Sequence, residues 1–403
     1  MKRIPAIDIA RGLVMVIMAL DHSRDFLHAW SQTHSPTDLA ATTPLFFFTR
    51  WITHFCAPSF VFLSGVSAAL SMKGGPDPRV TGMTSLRSNR DARRWLLQRG
   101  LLLIAVEFTV VNFALSFDPQ FRLLLFEVIA TIGAGLILLS QLSRLPSKIL
   151  LALALLIVFG HDLLPPPPPM APNQTSIVLM PLIRSLFFSP GGFQVTPRLL
   201  MVIAYPVIPW LGIMLAGFAT GRWFEKPAPQ RKKLFLRLGL CTLALFIALR
   251  LSKGYGDPSP WSVQKSSLFT LLSFLNVNKY PPSLLFSLLT LGGLFLILAA
   301  AEQRDNRLTR TLLVYGRVPL FYFVVHLYLI HGILLVVLLL QGFRPADLRF
   351  GPFQFGHPAT GGGLGIAGVY AVWLGAVITL YPLCRWYGRY KATHPEKTWL
   401  RYF

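Results

Sequence analysis

Apolar residues in this chain come in long runs separated by short polar segments. A helix needs about 20 mainly apolar residues to cross the hydrocarbon of a bilayer. Ten stretches have that length, near 6–27, 44–72, 97–116, 122–141, 146–164, 199–222, 234–252, 282–302, 312–340 and 364–388. The pattern predicts an all-α integral membrane protein of about ten transmembrane helices, organised as a single polytopic domain over 1–403. Lys2 and Arg3 ahead of the apolar run 12–20 imitate the start of a secretory signal peptide. Asp8 and Arg11 interrupt the approach to that run and no small-x-small cleavage site follows, so the segment reads as a retained first helix.

Composition agrees with a bilayer protein. Hydrophobic residues make up 53% and charged residues 13%, against about 25% charged in a soluble domain. Lys plus Arg number 38 against 16 Asp plus Glu, for a net +22. In a soluble protein that excess would suggest nucleic acid; here it serves topology and contact with lipid headgroups, and no nucleic-acid partner is expected. With the N-terminus in the cytoplasm, inner segments collect Lys2 and Arg3, the basic residues from Lys73 to Arg99, Arg144 and Lys148, those from Arg222 to Arg237, Arg304, Arg307 and Arg310, and those from Arg385 to Arg401. That alternation follows the positive-inside rule and places both termini in the cytoplasm. Two outer loops are long, 165–198 and 253–281, and the first opens with five prolines at 165–169 that favour a stiff strut. The segment 73–96 reads as a basic connector against anionic lipid rather than a nucleotide site. Cys56, Cys241 and Cys384 have no ligand spacing and read as apolar fillers. No histidine pair stands at i,i+4, so no metal site is expected. Phosphate-binding loops, GxGxxG, HExxH and GxSxG are all missing from the sequence.

Ionisable groups inside a span are costly, so each is a candidate functional residue. The first helix carries Asp8, Arg11, Asp21, His22 and Asp25. At 100° per residue Arg11 and His22 share a face within about 20°, roughly 16 Å apart along the axis. A cation at the inner end and a histidine at the outer end suit a ligand lying along the helix, its anionic head low and its reactive end high. Asp8 and Arg11 are an i,i+3 pair, read either as part of that site or as a lock on neighbouring helices. Asp25, or Asp21, is placed to orient the His22 ring as part of an acid–base unit; the competing reading leaves His22 a neutral interfacial residue. Arg50 and His54 share a face of the second helix, Pro58 permits a kink there, and Ser64 and Gly65 suit close packing. Arg317, His326 and His331 climb the ninth helix. Glu107, Asn112 and Glu127 are further candidates, with charge pairing as their plainer role. His28 and His34 lie in the first outer loop, where solvated residues are the ordinary expectation. A proton-coupled transporter of a glycan or lipid precursor is the rival function, using the same charges as a relay.

The order Arg3…Asp8-Ile-Ala-Arg11-Gly…Asp21-His22 resembles the membrane acyltransferase superfamily. More closely, the chain is similar to bacterial relatives of heparan-alpha-glucosaminide N-acetyltransferase. That likeness is carried by Asp21-His22-Ser-Arg-Asp25-Phe, Thr49-Arg50-Trp-Ile-Thr-His54-Phe-Cys-Ala-Pro-Ser-Phe-Val-Phe-Leu-Ser-Gly65, Tyr205-Pro-Val-Ile-Pro209-Trp210-Leu-Gly, Tyr280-Pro-Pro-Ser-Leu and Gly316-Arg-Val-Pro-Leu-Phe-Tyr-Phe-Val-Val-His326. The resemblance implies a multi-pass enzyme of the bacterial inner membrane; a homo-oligomer, such as a homodimer, and membrane lipids are its further expected partners. It implies transfer of an acetyl group from cytoplasmic acetyl-CoA to an amino sugar or sugar hydroxyl of a glycan beyond the membrane. The expected catalytic set is His22, Asp21, Asp25 and His54, acting by general base or through an acetyl-histidine. The expected donor-binding set is Arg11, Asp8, Arg50, Arg317 and His326. In the human lysosomal branch the position matching His22 is Asn and the active histidine falls in the first outer loop, which keeps His34 and His28 as alternates.

Overall fold

The computed structural model describes residues 4–73, 89–164 and 179–401. Lys2, Arg3, most of the basic connector and the proline run 165–169 lie outside the described residues. Helices dominate, beginning with α1 (Pro5–Leu27), α2 (Pro44–Trp51), α3 (Cys56–Lys73), α4 (Asn89–Val106) and α5 (Asn112–Ser116). Next come α6 (Val128–Leu142), α7 (Ser147–Gly160), α8 (Leu179–Phe187), α9 (Val207–Thr220) and α10 (Ala228–Ser252). The chain closes with α11 (Ser267–Leu275), α12 (Leu284–Ala301), α13 (Arg307–Gly316), α14 (Pro319–Leu340) and α15 (Ile366–Thr393). Seven helical segments among the described residues are long and apolar enough to cross a membrane: Pro44–Met72, Asn89–Ser116, Val207–Glu225, Ala228–Ser252, Leu284–Ala301, Pro319–Leu340 and Ile366–Thr393.

Several expected spans are interrupted, each for a local reason. The stretch 44–72 is broken by a tight turn at Ile52–Phe55. Pro58 cannot donate to the His54 carbonyl and its ring crowds that group, so the irregularity falls just before the proline. The stretch 312–340 divides at Val318 (φ −133°, ψ 52°), because Pro319 drives the residue before it out of helical geometry. In 97–116 one wide turn, Glu107–Val111, joins α4 to α5, and Asn112 Nδ2 there donates to the Glu107 carbonyl at 2.7 Å. The stretches 122–141 and 199–222 both open as strands, β1 (Leu123–Phe126) and β3 (Leu199–Ile203). These pair in parallel, and β2 (Gly191–Thr196) lies antiparallel on the far edge of β3. Short apolar runs fit a buried strand as well as a helix, which is why periodicity missed them. Asn112 clamps the sheet by accepting from Leu125 N at 2.6 Å and donating to the Leu125 carbonyl at 3.0 Å. The two long loops likewise contain α8, β2 and α11.

The helix α1 sits in the middle, packed on α3, α12, α13, α14 and α15. It reaches α13 almost backbone to backbone. A Cβ on Gly12 would lie 1.9 Å from the Leu312 carbonyl oxygen, and one on Gly316 would lie 1.8 Å from that of Asp8. The pair α3 and α9 repeats the device, since a Cβ on Gly65 would fall 2.0 Å from the Met214 carbonyl oxygen. Small residues at helix interfaces allow this approach in lipid, where packing replaces the hydrophobic effect. Gly316→Ala must push whole helices apart and should destabilise by about 1–3 kcal/mol or more. Gly375→Ala is the control: no atom lies within 4 Å of the added Cβ, and stability should rise by up to about 1 kcal/mol. Equal unfolding midpoints for the two variants in detergent would contradict this packing.

Candidate active site

Two charged clusters sit at opposite ends of α1. At the first, Arg11 Nη1 contacts Asp8 Oδ1 at 3.2 Å, while Nη2 donates to the Leu63 carbonyl at 3.4 Å and to Ser67 Oγ on α3. The pair therefore locks α1 to α3 and also lines a cavity of about 520 Å³. Arg99, Arg317 and Lys391 converge on the same cavity from α4, the end of α13 and α15. Arg99 holds its guanidinium 5.2 Å from the Trp95 ring, and its buried Nε has no hydrogen-bond partner among the described residues. Further along α1 the walls turn apolar, with Met15, Phe60, Ile129 and Phe323. The cavity is thus cationic at one end and greasy toward the other.

At the second cluster, Arg50 Nη1 reaches both oxygens of Asp21, at 3.0 and 2.8 Å, and Arg24 Nη2 contacts Asp21 at 2.8 Å. Arg24 also contacts Asp25, a residue whose side chain is 52% exposed. The orienting hydrogen bond expected from Asp21 or Asp25 to His22 is therefore not made, because both carboxylates are turned to guanidinium groups. Arg24 wins Asp21 as its i,i+3 neighbour on the same face, and Arg50 arrives from α2. The His22 ring instead packs against Phe323 (6.4 Å between centroids), Phe26 (6.5 Å) and His326 (5.1 Å). Phe323 also lines the cationic cavity, so this ring stands between His22, which does not line it, and the hollow. His326 is fully buried, with Nδ1 2.9 Å from the Tyr322 carbonyl. A carbonyl only accepts, so Nδ1 of the neutral ring carries the hydrogen and Nε2 keeps a lone pair. That Nε2 has no partner among the described residues.

The remaining candidates separate into neighbours of this second cluster and structural groups. Arg50 belongs here with Asp21 rather than to the Arg11 cavity, and His326 stands beside His22 instead of in the phosphate-suited end. His54 is buried with Nδ1 unpartnered among the described residues, its ring 5.6 Å from Phe286, within electrostatic range of Arg50 and Lys279. Glu127, at the start of α6, lies within electrostatic range of Lys279, Asp25, Asp21 and Arg50. His331 is held at 2.8 Å from the Ala114 carbonyl and 3.2 Å from that of Phe355, stacked 3.9 Å from Phe117, which is a packing role. Glu107 accepts from Ala130 N at 3.1 Å and ties α6 to the wide turn. His28 bonds Ser31 at 3.0 Å, and burial together with the Arg24 charge holds its imidazole below the usual pKa. His34 is exposed, stacked on Trp30 at 4.5 Å and bonded to Thr33 at 2.8 Å. Cys56 and Cys384 are buried and Cys241 is exposed, all as free thiols.

Arg24, Arg99, Lys279 and Tyr205 were not singled out from sequence. Lys279 is 7% exposed, with Nζ 4.9 Å from the Tyr280 ring and 5.6 Å from the Tyr205 ring, whose hydroxyls are 3.4 Å apart. Counted by loop position, Lys279 is an outer-loop charge and Arg99 an inner topology charge. Only the tertiary fold turns them inward. Tyr205 and Tyr280 open motifs already noted in the chain, the one signal that pointed to them.

No curated protein matches the chain at a meaningful level of similarity. A family described as heparan-alpha-glucosaminide N-acetyltransferase, catalytic, matches residues 3–250, a segment that holds the Asp8–Arg11 pair, Asp21, His22, Arg50, His54 and Arg99. With more than half of its length matched, and with helices apolar enough for a bilayer, the chain belongs to the heparan-alpha-glucosaminide N-acetyltransferase catalytic family and is an integral membrane acetyltransferase by that membership.

Proposed function

We propose that the protein transfers an acetyl group from cytoplasmic acetyl-CoA, entering at the Arg11 end of α1, to an amino or hydroxyl group of a sugar or glycan reaching the His22 end. The observation that carries this reading is that one cavity is lined by Arg11, Arg99, Arg317 and Lys391 and also by Phe323, against which His22 packs. Guanidinium groups match phosphate in bidentate geometry, which suits the charged end to the donor's pyrophosphate. The apolar walls suit its pantetheine arm. His22 takes the proton from the acceptor as nitrogen or oxygen attacks the thioester carbonyl, and returns it to the departing thiolate. The acyl–sulfur bond breaks, an amide or ester forms, and no other reactant is needed. The Nε2 lone pair of His326 steadies the imidazolium formed on His22. Lys279, Glu127, Tyr205 and Tyr280 surround the acceptor.

The topology in this proposal has ten crossings, with α1, α6 and α7 joining the seven long segments, and an even number returns the C-terminus to the cytoplasmic side. The test is release of free CoA from acetyl-CoA by purified protein in detergent, with and without a panel of amino sugars. Sugar-dependent release is expected, and Arg99→Ala should raise the KM for acetyl-CoA about tenfold through loss of one charge-assisted contact. Accumulation of a glycan in proteoliposomes with no CoA release would replace this reading with transport.

A further inference from the structure

A second cavity, of about 710 Å³, adjoins the first. It lies beyond the residues 3–250 matched by the family. Arg317 and Lys391 line both cavities. Arg385, Arg389, His394 and Lys397 join them in the second, and no carboxylate is among the residues that line it. These basic residues come from three parts of the fold. Arg317 ends α13, Arg385, Arg389 and Lys391 lie in the last turns of α15, and His394 and Lys397 belong to the segment that folds back after it. Arg385 and Arg389 are i,i+4 and share a face. The returning segment is anchored, because Leu400 is buried at 2% exposure, Lys397 Nζ donates to Tyr390 Oη, and His394 Nδ1 meets the Tyr390 carbonyl at 2.9 Å.

Gathering like charges around one hollow costs free energy that an anion recovers. A topology signal needs only basic residues on one side of the bilayer. It requires neither their convergence from three elements nor a concave surface between them. The continuity at Arg317 and Lys391 fixes where the anion comes from. A donor whose pyrophosphate rests among Arg11, Arg99 and Arg317 leaves its nucleotide, and the phosphate monoester on the ribose, outside the first cavity.

Resting on the acetyl-CoA reading above, we infer that the cavity between the α13–α14 junction and the C-terminal end of α15 is the site for the 3′-phosphorylated nucleotide of the donor, with Arg385 and Arg389 binding the ribose phosphate. The site makes the enzyme selective for CoA over its 3′-dephospho form.

Calorimetric titration of the whole protein in detergent with adenosine 3′,5′-bisphosphate and with 5′-AMP tests binding directly, alongside KM values for acetyl-CoA and acetyl-3′-dephospho-CoA. Wild type should prefer the bisphosphate to 5′-AMP, and acetyl-CoA to its dephospho form, by about tenfold or more. Arg385→Gln/Arg389→Gln should erase both preferences by weakening only the 3′-phosphorylated ligands. Wild type with no 3′-phosphate preference, or a variant that weakens both ligands equally, overturns the site. Repeating the titration in neutral and anionic-lipid nanodiscs separates the remaining source of phosphate: preferences that vanish in anionic lipid would assign the cavity to a headgroup and overturn the proposal. Bisphosphate binding without acetyl transfer sinks the acetyltransferase reading instead, and transfer without 3′ discrimination sinks this inference alone.

Discussion

His22→Ala is expected to lower sugar-dependent CoA release by about 10²–10⁴-fold, the usual contribution of a positioned acid–base group. The loss should fall on kcat with little change in the KM for acetyl-CoA, since the cations proposed to hold the phosphates lie near Arg11, roughly 16 Å away along α1. His22 packs with rings rather than in a network of hydrogen bonds, so its truncation leaves no buried ion without a partner and the fold should survive. His326→Gln separates positioning from chemistry. The Gln amide offers a hydrogen-bonding group but not an imidazole, so a milder fall in kcat and a displaced pH–rate profile are expected. Full activity in His22→Ala would end the assignment and turn attention to His28, which feels the Arg24 charge, and to the exposed His34.

Hydropathy made the membrane class and the central role of the first helix legible, because both depend on residues adjacent in sequence. The shared face of Arg11 and His22 follows from helical periodicity alone, and α1 runs unbroken between them. Harder to see were groups whose meaning depends on a partner far along the chain. Arg24 reads as a helix-end charge until Arg50 and Asp21 meet it. Lys279 reads as a loop lysine until the 280 region folds against Tyr205. Leu123–Phe126 reads as the start of a span until Leu199–Ile203 supplies the ladder beside it. In each case the sequence holds one half of an interaction and no local pattern specifies the other half.

Asp21→Ala should be the most destabilising single change in the charged clusters. Asp21 is the shared anion of two arginines, receiving Arg50 on both oxygens and Arg24 on one. The side chains are 13% exposed for Asp21 and Arg50 and 2% for Arg24. Removing one partner from a buried pair costs about 3–5 kcal/mol, because the charge left behind has neither water nor counter-ion. Here the deletion strands Arg50 and leaves Arg24 to the exposed Asp25. Arg24 already has Nε and Nη1 without hydrogen-bond partners among the described residues, so the exposed Asp25 would be the one carboxylate left to it there. Asp21→Asn keeps the shape and an acceptor oxygen but not the charge, and should cost less than the alanine. The proposed chemistry would need this ordering too, since α1 places His22 next to Asp21 and the turn Ile52–Phe55 that follows α2 carries His54 just after Arg50. Thermal unfolding in detergent should rank wild type above Asp21→Asn above Asp21→Ala, and the double variant Asp21→Ala/Arg50→Ala should recover part of the loss by removing the stranded cation. A double variant no more stable than Asp21→Ala would mean that Arg50 finds water or Glu127 once released, and that the cluster is a hydrated site rather than a buried lock.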